Sequence, residues 1–146
     1  MKEFWNEKFS PESYFYGVDA NDFLKSVYGV FSPKGKILCI AEGEGRNSVF
    51  LARQGLDVYA VDFSEVAKKK ALDLASKENV ILHYDLCSLQ DFDFGEEKWD
   101  GVVSIFCHLP HDIRSMIHQK IQKSLRPGGI FLIEAYHPTQ LEYKTG

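Results

Sequence analysis

The sequence predicts a doubly wound α/β fold with a mostly parallel sheet. Three observations lead there. Five short, nearly continuous apolar runs, Lys36–Ala41, Asp57–Val61, Val80–Tyr84, Trp99–Phe106 and Ile130–Ala135, read as strands covered on both faces. Segments with helical spacing alternate with them, which favours parallel strands joined by right-handed crossovers. A glycine-bearing turn follows the first run directly, at the carboxyl end of a strand, where such sheets bind ligands.

Taken in order, Phe23, Leu24, Val27 and Phe31 share one face of a helix expected over Ala20–Phe31. A short helix is expected over Arg46–Gln54 after the first strand. Ser64 can cap the next helix, on which Ala67, Ala71, Leu74 and Ala75 form one stripe. Leu86–Glu97 reads as turns with a short helix. Pro110 suits a first helical position. Ile113, Met116, Ile117, Ile121 and Leu125 then line one face until Pro127-Gly128-Gly129 ends the helix.

Composition narrows the function classes. The 146 residues carry 17 Lys+Arg against 21 Asp+Glu, a formal net charge of -4, with 45% hydrophobic residues. One domain over 1–146 is expected, its core large enough to need neither disulfide nor metal. The mild acidity argues against a nucleic-acid partner, and Lys68-Lys69-Lys70 is too short a basic run to make a binding stripe. No apolar run suits a membrane helix, and the N-terminus lacks a signal-peptide core. Cys39, Cys87 and Cys107 are odd in number, sit among apolar residues and form no C-x-x-C pair, so reduced thiols and a cytoplasmic location are expected. The spacings of His83, Cys87, Cys107, His108 and His111 match no common metal-ligand set.

The chemistry-bearing residues follow the strands. Gly43 and Gly45, in Ala41-Glu42-Gly43-Glu44-Gly45-Arg46-Asn47, let the backbone turn sharply and approach a ligand. Asp62 ends the second strand 17 residues after Gly45. A carboxylate there suits the two hydroxyls of a ribose, with Phe63 against an adenine face; it can also cap the following helix. Asp85-Leu86 ends the third strand, where a carboxylate can accept from an adenine amino group and Leu86 can pack the ring, or where an Asp simply forms a turn. The third position of a nicotinamide-type G-x-G-x-x-G is Ser48, and no G-x-S-x-G elbow of a hydrolase occurs.

Together, Ile37–Asn47, Asp62, Asp85-Leu86, Trp99-Asp100 and Leu125-Arg126-Pro127-Gly128-Gly129 resemble a class I S-adenosylmethionine-dependent methyltransferase. Gly43–Ser48 and Tyr16-Gly17-x-x-x-Asn21-Asp22-Phe23-Leu24 are similar to its tellurite-resistance (TehB)-like and thiopurine-methyltransferase-like branch. The resemblance implies S-adenosyl-L-methionine as cofactor and strand order 3-2-1-4-5. It places residues 36–136 as the cofactor-binding core and 1–31 as an N-terminal lid and helix. It lays the methionine moiety over Gly43–Gly45, pairs Arg46 with its carboxylate and sets Phe106 against the cofactor. Tyr16 and His108 lie on the acceptor side. No Asp/Asn-Pro-Pro-aromatic motif of DNA and glutamine amino-methyltransferases follows strand four, which reads Ser104-Ile105-Phe106-Cys107-His108-Leu109-Pro110. The expected acceptor is a small molecule, a thiol or a chalcogen oxyanion; a methyltransferase-fold module that binds cofactor without turnover is the alternative.

Two positions depart from the family pattern. Ala41 replaces the first loop glycine and Cys39 the mid-strand acid, a polar role that Glu42 can take over. The family sheet also carries two further strands, for which Tyr136–Gly146 is too short. The chain is therefore expected to be a fragment, or its fifth strand to pair with another chain, most simply in a homodimer.

Overall fold

The computed structural model describes Lys2, residues 19–105, Cys107 and residues 109–134. Helix α1 (Asp22–Val27) runs into a 3-10 turn at Tyr28–Val30. Then come β1 (Lys36–Ile40), α2 (Arg46–Arg53), β2 (Asp57–Asp62), α3 (Glu65–Lys77), β3 (His83–Leu86), β4 (Trp99–Ile105), α4 (His111–Ser124) and β5 (Leu125–Glu134). The sheet order is β3-β2-β1-β4-β5 and each pairing is parallel, as expected. The chain reverses its direction of travel across the sheet between β1 and β4, which makes their carboxyl ends the switch point.

Both faces of β1 are buried. Ile37 and Cys39 join Val58, Ala60, Tyr84 and Val103 under α1, α2 and α3, with Leu24, Val49, Leu51, Ala71, Leu74 and Ala75. Leu38 and Ile40 join Val61, Trp99 and Val102 under Ile117 and Ile121 of α4. That is why the strands read as continuous apolar runs rather than alternating ones.

The element boundaries differ from expectation in four places. Strand β3 starts at His83, not Val80. Val80 instead completes the end of α3: its N–H reaches Ala75 O at 3.0 Å and that of Asn79 reaches Ser76 O at 3.1 Å, with Asn79 at φ 56°. This is a Schellman cap, with an apolar residue after the left-handed one. Ile81, counted as a strand residue from sequence, is 79% exposed. Residues 87–98 form turns without a helix. Helix α1 is shorter than Ala20–Phe31, because Asn21 caps it at Leu24 N and the chain tightens at Tyr28. Finally, α4 ends at Ser124 before Pro127-Gly128-Gly129, Leu125 already pairs with Trp99, and Met116 is exposed rather than on the buried stripe. The register then jumps to Gly101↔Ile130, so Arg126–Gly129 bulge out of the β4–β5 ladder. Arg126 Nη1 reaches Asp100 Oδ2 at 3.1 Å, and the same oxygen accepts from Lys36 N at 2.8 Å. The bulge is thereby tied to the start of β1.

Candidate functional site

The strand registers bring the carboxyl ends to one rim. Ile40 lies beside Val61 and Ser104, Asp62 beside Leu86, and Ile105 beside Glu134. The turn Ala41–Gly45 rises from this rim and is fixed on all sides. Gly43 N donates to Asp62 Oδ2 at 2.7 Å, and Gly43 O accepts from the Tyr84 hydroxyl at 2.6 Å. Glu42 Oε1 accepts from Ser48 N at 2.7 Å in the first turn of α2, and Glu44 Oε2 lies 3.0 Å from Lys70 Nζ of α3. Gly43 and Gly45 have φ of 64° and 92°, the left-handed region that glycine enters freely. Ala41 enters it too, at φ 50°.

Gly45 is required here by packing. A Cβ on it would come within 2.7 Å of Ala71 Cβ and 2.9 Å of Ala71 Cα. The turn and α3 meet without room for a methyl group.

Asp62 is 7% exposed. Its Oδ1 accepts from Phe63 N at 2.7 Å and Ser64 N at 3.2 Å, besides the Gly43 bond on Oδ2. Burial pushes its carboxyl up, and the three backbone donors oppose that. A carboxylate has about four acceptor sites, so roughly one remains for a ligand hydroxyl rather than two. The capping of α3 belongs to Ser64, whose Oγ accepts from Ala67 N at 3.2 Å. Of the two readings open for Asp62, the helix cap is thus filled by its neighbour.

Glu42 is partly exposed at the rim. Desolvation pushes its carboxyl up to about 7, reinforced by Asp62 and opposed by the Ser48 bonds and Arg46. Cys39, where the resemblance leads one to expect an acid, is fully buried, and burial raises its thiol far above the ordinary range. Cys107 is pushed up to about 11, chiefly by burial. Neither thiol is placed to act as a thiolate at neutral pH.

Arg46 lines a cavity of about 540 Å³ with Asp19, Ala20, Asn21, Asp22, Phe23 and Glu134. Asn21 closes one side of it: its N–H donates to Asn47 Oδ1 at 2.8 Å and its Nδ2 to Glu134 Oε1 at 3.2 Å. Two segments singled out by sequence, Asn21–Leu24 and Gly43–Ser48, are therefore joined directly.

Of the sequence-predicted residues, Glu42, Gly43, Gly45, Arg46, Asp62, Phe63 and Leu86 converge on the rim. Asp85 does not: it lines a second cavity of about 270 Å³ on the α4 side of the sheet, with Tyr59, His83, Phe92 and Trp99. Alternation along β3 turns Tyr84 toward the glycine turn and its neighbour Asp85 the other way. Tyr16, Phe106 and His108 lie outside the described residues. Sequence reasoning missed Asn47, Lys70 and Tyr84. Lys70 sits in a basic run and Tyr84 in an apolar one, and nothing local marks either as reaching the turn. Among the described residues, no group of three or more His, Cys, Asp or Glu could hold a metal ion, and no helix is long and apolar enough to cross a membrane.

Residues 37–129 match the family described as Methyltransferase domain. Hemagglutinin 1 of Eikenella corrodens is 36% identical over 107 residues, 67% of this chain and 33% of that protein. An uncharacterized methyltransferase of Synechocystis is 33% identical over 112 residues, 74% of this chain and 50% of that one. The chain thus spans a third to a half of the length of these relatives. Burkholderia thailandensis 1,6-didemethyltoxoflavin-N1-methyltransferase, solved with 1,6-didemethyltoxoflavin and S-adenosylhomocysteine bound, is 27% identical with a TM-score of 0.64, covering 76% of this chain and 48% of its own. TehB of Haemophilus influenzae shares the fold at 20% identity and a TM-score of 0.71, covering 98% of this chain and 54% of its own.

Proposed function

The chain belongs to the methyltransferase domain family, and from that premise we propose that it is an S-adenosylmethionine-dependent methyltransferase acting on a small-molecule acceptor. One observation carries the reading: a glycine turn at the carboxyl end of β1 is bonded through Gly43 to the buried carboxylate of Asp62 at the end of β2. The residues fit the cofactor. The turn has no side chain at Gly43, and Oδ2 of Asp62 keeps one acceptor site for a ribose hydroxyl. Arg46 takes the methionine carboxylate, and Phe63 and Leu86 pack the adenine. Because Asp85 faces the second cavity, Leu86 carries the third-strand contact in this reading. Phe106 stays a cofactor contact on the family resemblance.

The cofactor supplies a methyl group made electrophilic by a positively charged sulfur. What remains for the protein is to align the acceptor at about 3–3.5 Å and to exclude water. The finer expectation of a thiol or chalcogen-oxyanion acceptor, as in the TehB-like branch, rests on Gly43–Ser48 and the Tyr16–Leu24 segment. Such soft acceptors need little proton transfer; an amine or alcohol needs a base, and His108 is the candidate. Tyr16 is the second acceptor-side candidate.

Titration calorimetry with S-adenosylhomocysteine tests the cofactor assignment. Saturable binding is expected, weakened at least about tenfold by Asp62→Ala, since a charge-assisted bond is worth roughly 1.5–3 kcal/mol. No binding by the unaltered chain overturns the reading. Release of S-adenosylhomocysteine with a panel of thiols, tellurite and selenite then separates an enzyme from a module that binds without turnover.

A further inference from the structure

We propose that Glu134 anchors the methyl acceptor by an amino group, so that the acceptor is an amine-bearing small molecule rather than an inorganic oxyanion. The proposal rests on the reading above that Arg46, in the same cavity, takes the cofactor's carboxylate. Glu134 is the last residue of β5 and lies beside Ile105 at the rim. Ile130, Leu132 and Glu134 alternate onto one face of the strand. The first two pack on the core under α1, α2 and α3. The third ends that apolar stripe with a carboxyl group in the wall of the 540 Å³ cavity.

One oxygen of Glu134 is fixed and the other is open. Oε1 accepts from Asn21 Nδ2 at 3.2 Å. Asn21 is itself locked: its N–H donates to Asn47 Oδ1 at 2.8 Å, and its Oδ1 accepts from Leu24 N at 3.0 Å. Asn47 is buried, so this clasp is anchored in the first turn of α2. Among the described residues Oε2 of Glu134 has no hydrogen-bond partner. A carboxylate offers acceptors only, so the group that meets Oε2 is a donor. A neutral amide would hold Asn21 as well; the negative charge adds attraction for a cation. Asp19 and Asp22 line the same cavity, and Arg46 is its only cation among the described residues. With Arg46 matched by the cofactor's carboxylate, the wall left to the acceptor is negative. That favours an ammonium group and repels tellurite or selenite. Phe23 supplies an apolar face for the rest of the acceptor.

Two probes of one shape test this. Tyramine and phloretate share a phenol ring on the same arm, which ends in an amine in one and a carboxylate in the other. Each is titrated by calorimetry into the full chain, both alone and saturated with S-adenosylhomocysteine. Tyramine should bind at least about tenfold more tightly than phloretate. Glu134→Gln should bring the two within about threefold, because Gln keeps an oxygen for Asn21 and turns N–H donors to the cavity. In the wild type, the carboxyl carbon resonance of Glu134 should move with tyramine and not with phloretate; this measurement decides if Glu134→Gln fails to fold. Equal affinities, tighter phloretate, no binding of tyramine, or a preference that survives Glu134→Gln overturns the proposal. So does a Glu134→Gln variant that loses affinity for S-adenosylhomocysteine and keeps its affinity for tyramine, which would put the carboxylate on the cofactor's own ammonium. If the wild type binds no S-adenosylhomocysteine, the cofactor reading falls, and titration of the chain alone still decides whether Glu134 anchors an amine.

Discussion

Ala41 and Glu42 open the turn after β1, and each has a measurable cost or consequence. Ala41 holds φ 50°, a conformation in which its Cβ crowds the backbone. For a non-glycine residue this costs roughly 1–2 kcal/mol. Ala41→Gly removes that strain and adds chain entropy to the unfolded state, so a net gain of about 0.5–1 kcal/mol is expected in urea unfolding. Glu42 acts through its proton. Its carboxyl titrates near 7 in the fold against an ordinary 4.5. Between those values the folded state holds more protons than the unfolded state, so this group makes stability fall as pH rises, and the loss levels off above 7. Glu42→Gln keeps an acceptor for Ser48 N and removes the titration. Its stability relative to wild type should therefore improve from pH 5 to pH 7.5, read as a growing difference in urea midpoint. A constant difference would show that Glu42 is not held protonated.

At the scale of elements, the glycine turn takes its shape from α3 and β3. Gly45→Ala meets Ala71 and occupies φ 92°, so a loss of about 2–4 kcal/mol is expected. Ala71→Gly added to it should recover the part of the contact made by Ala71 Cβ, and leave the 2.9 Å approach to Ala71 Cα and the backbone part, a coupling of about 1 kcal/mol in a double-mutant cycle. Tyr84→Phe removes only the hydroxyl that donates to Gly43 O. A buried carbonyl losing its partner costs about 1–3 kcal/mol, and chemical denaturation should show it. The late start of β3 follows from the same helix: α3 ends in a Schellman cap that consumes Val80, and the strand begins only after the chain has turned back.

For the whole molecule, the open question is the outer edge of β5. Among the described residues β5 pairs only with β4, and Ile133 is 44% exposed. The edge is less bare than its apolar run suggests, because β5 begins at Leu125 and carries Arg126 and Pro127 before the ladder resumes at Ile130. Among the described residues nothing blunts Ile130–Glu134, a length that can still template pairing. Self-association of the chain through this edge is expected, most simply as a symmetric dimer. Light scattering should show a mass above the monomer that Ile133→Lys reduces. A monomeric wild type whose β5 amides exchange quickly would refute the pairing.

The fold class, the parallel pairing of the strands and the positions of Gly43, Gly45 and Asp62 were legible from residues alone; the order of the strands came from the family resemblance. They depend on local matters: continuous apolar runs for strands with two buried faces, a glycine pair directly after a strand, and an acid at the next strand's end. What holds those residues depends on contacts across many positions of sequence. Asp62 reaches Gly43, Tyr84 reaches the same glycine from 41 residues further on, Lys70 reaches Glu44, and Asn21 reaches both Asn47 and Glu134. Gly45 looked like a ligand approach and is required by Ala71. Asp85 looked like a rim residue and faces the second cavity, because alternation along β3 sends it to the side opposite its neighbour Tyr84. Local sequence sets which conformations a residue can take; the packing of α3 and β3 against the turn sets which one it does.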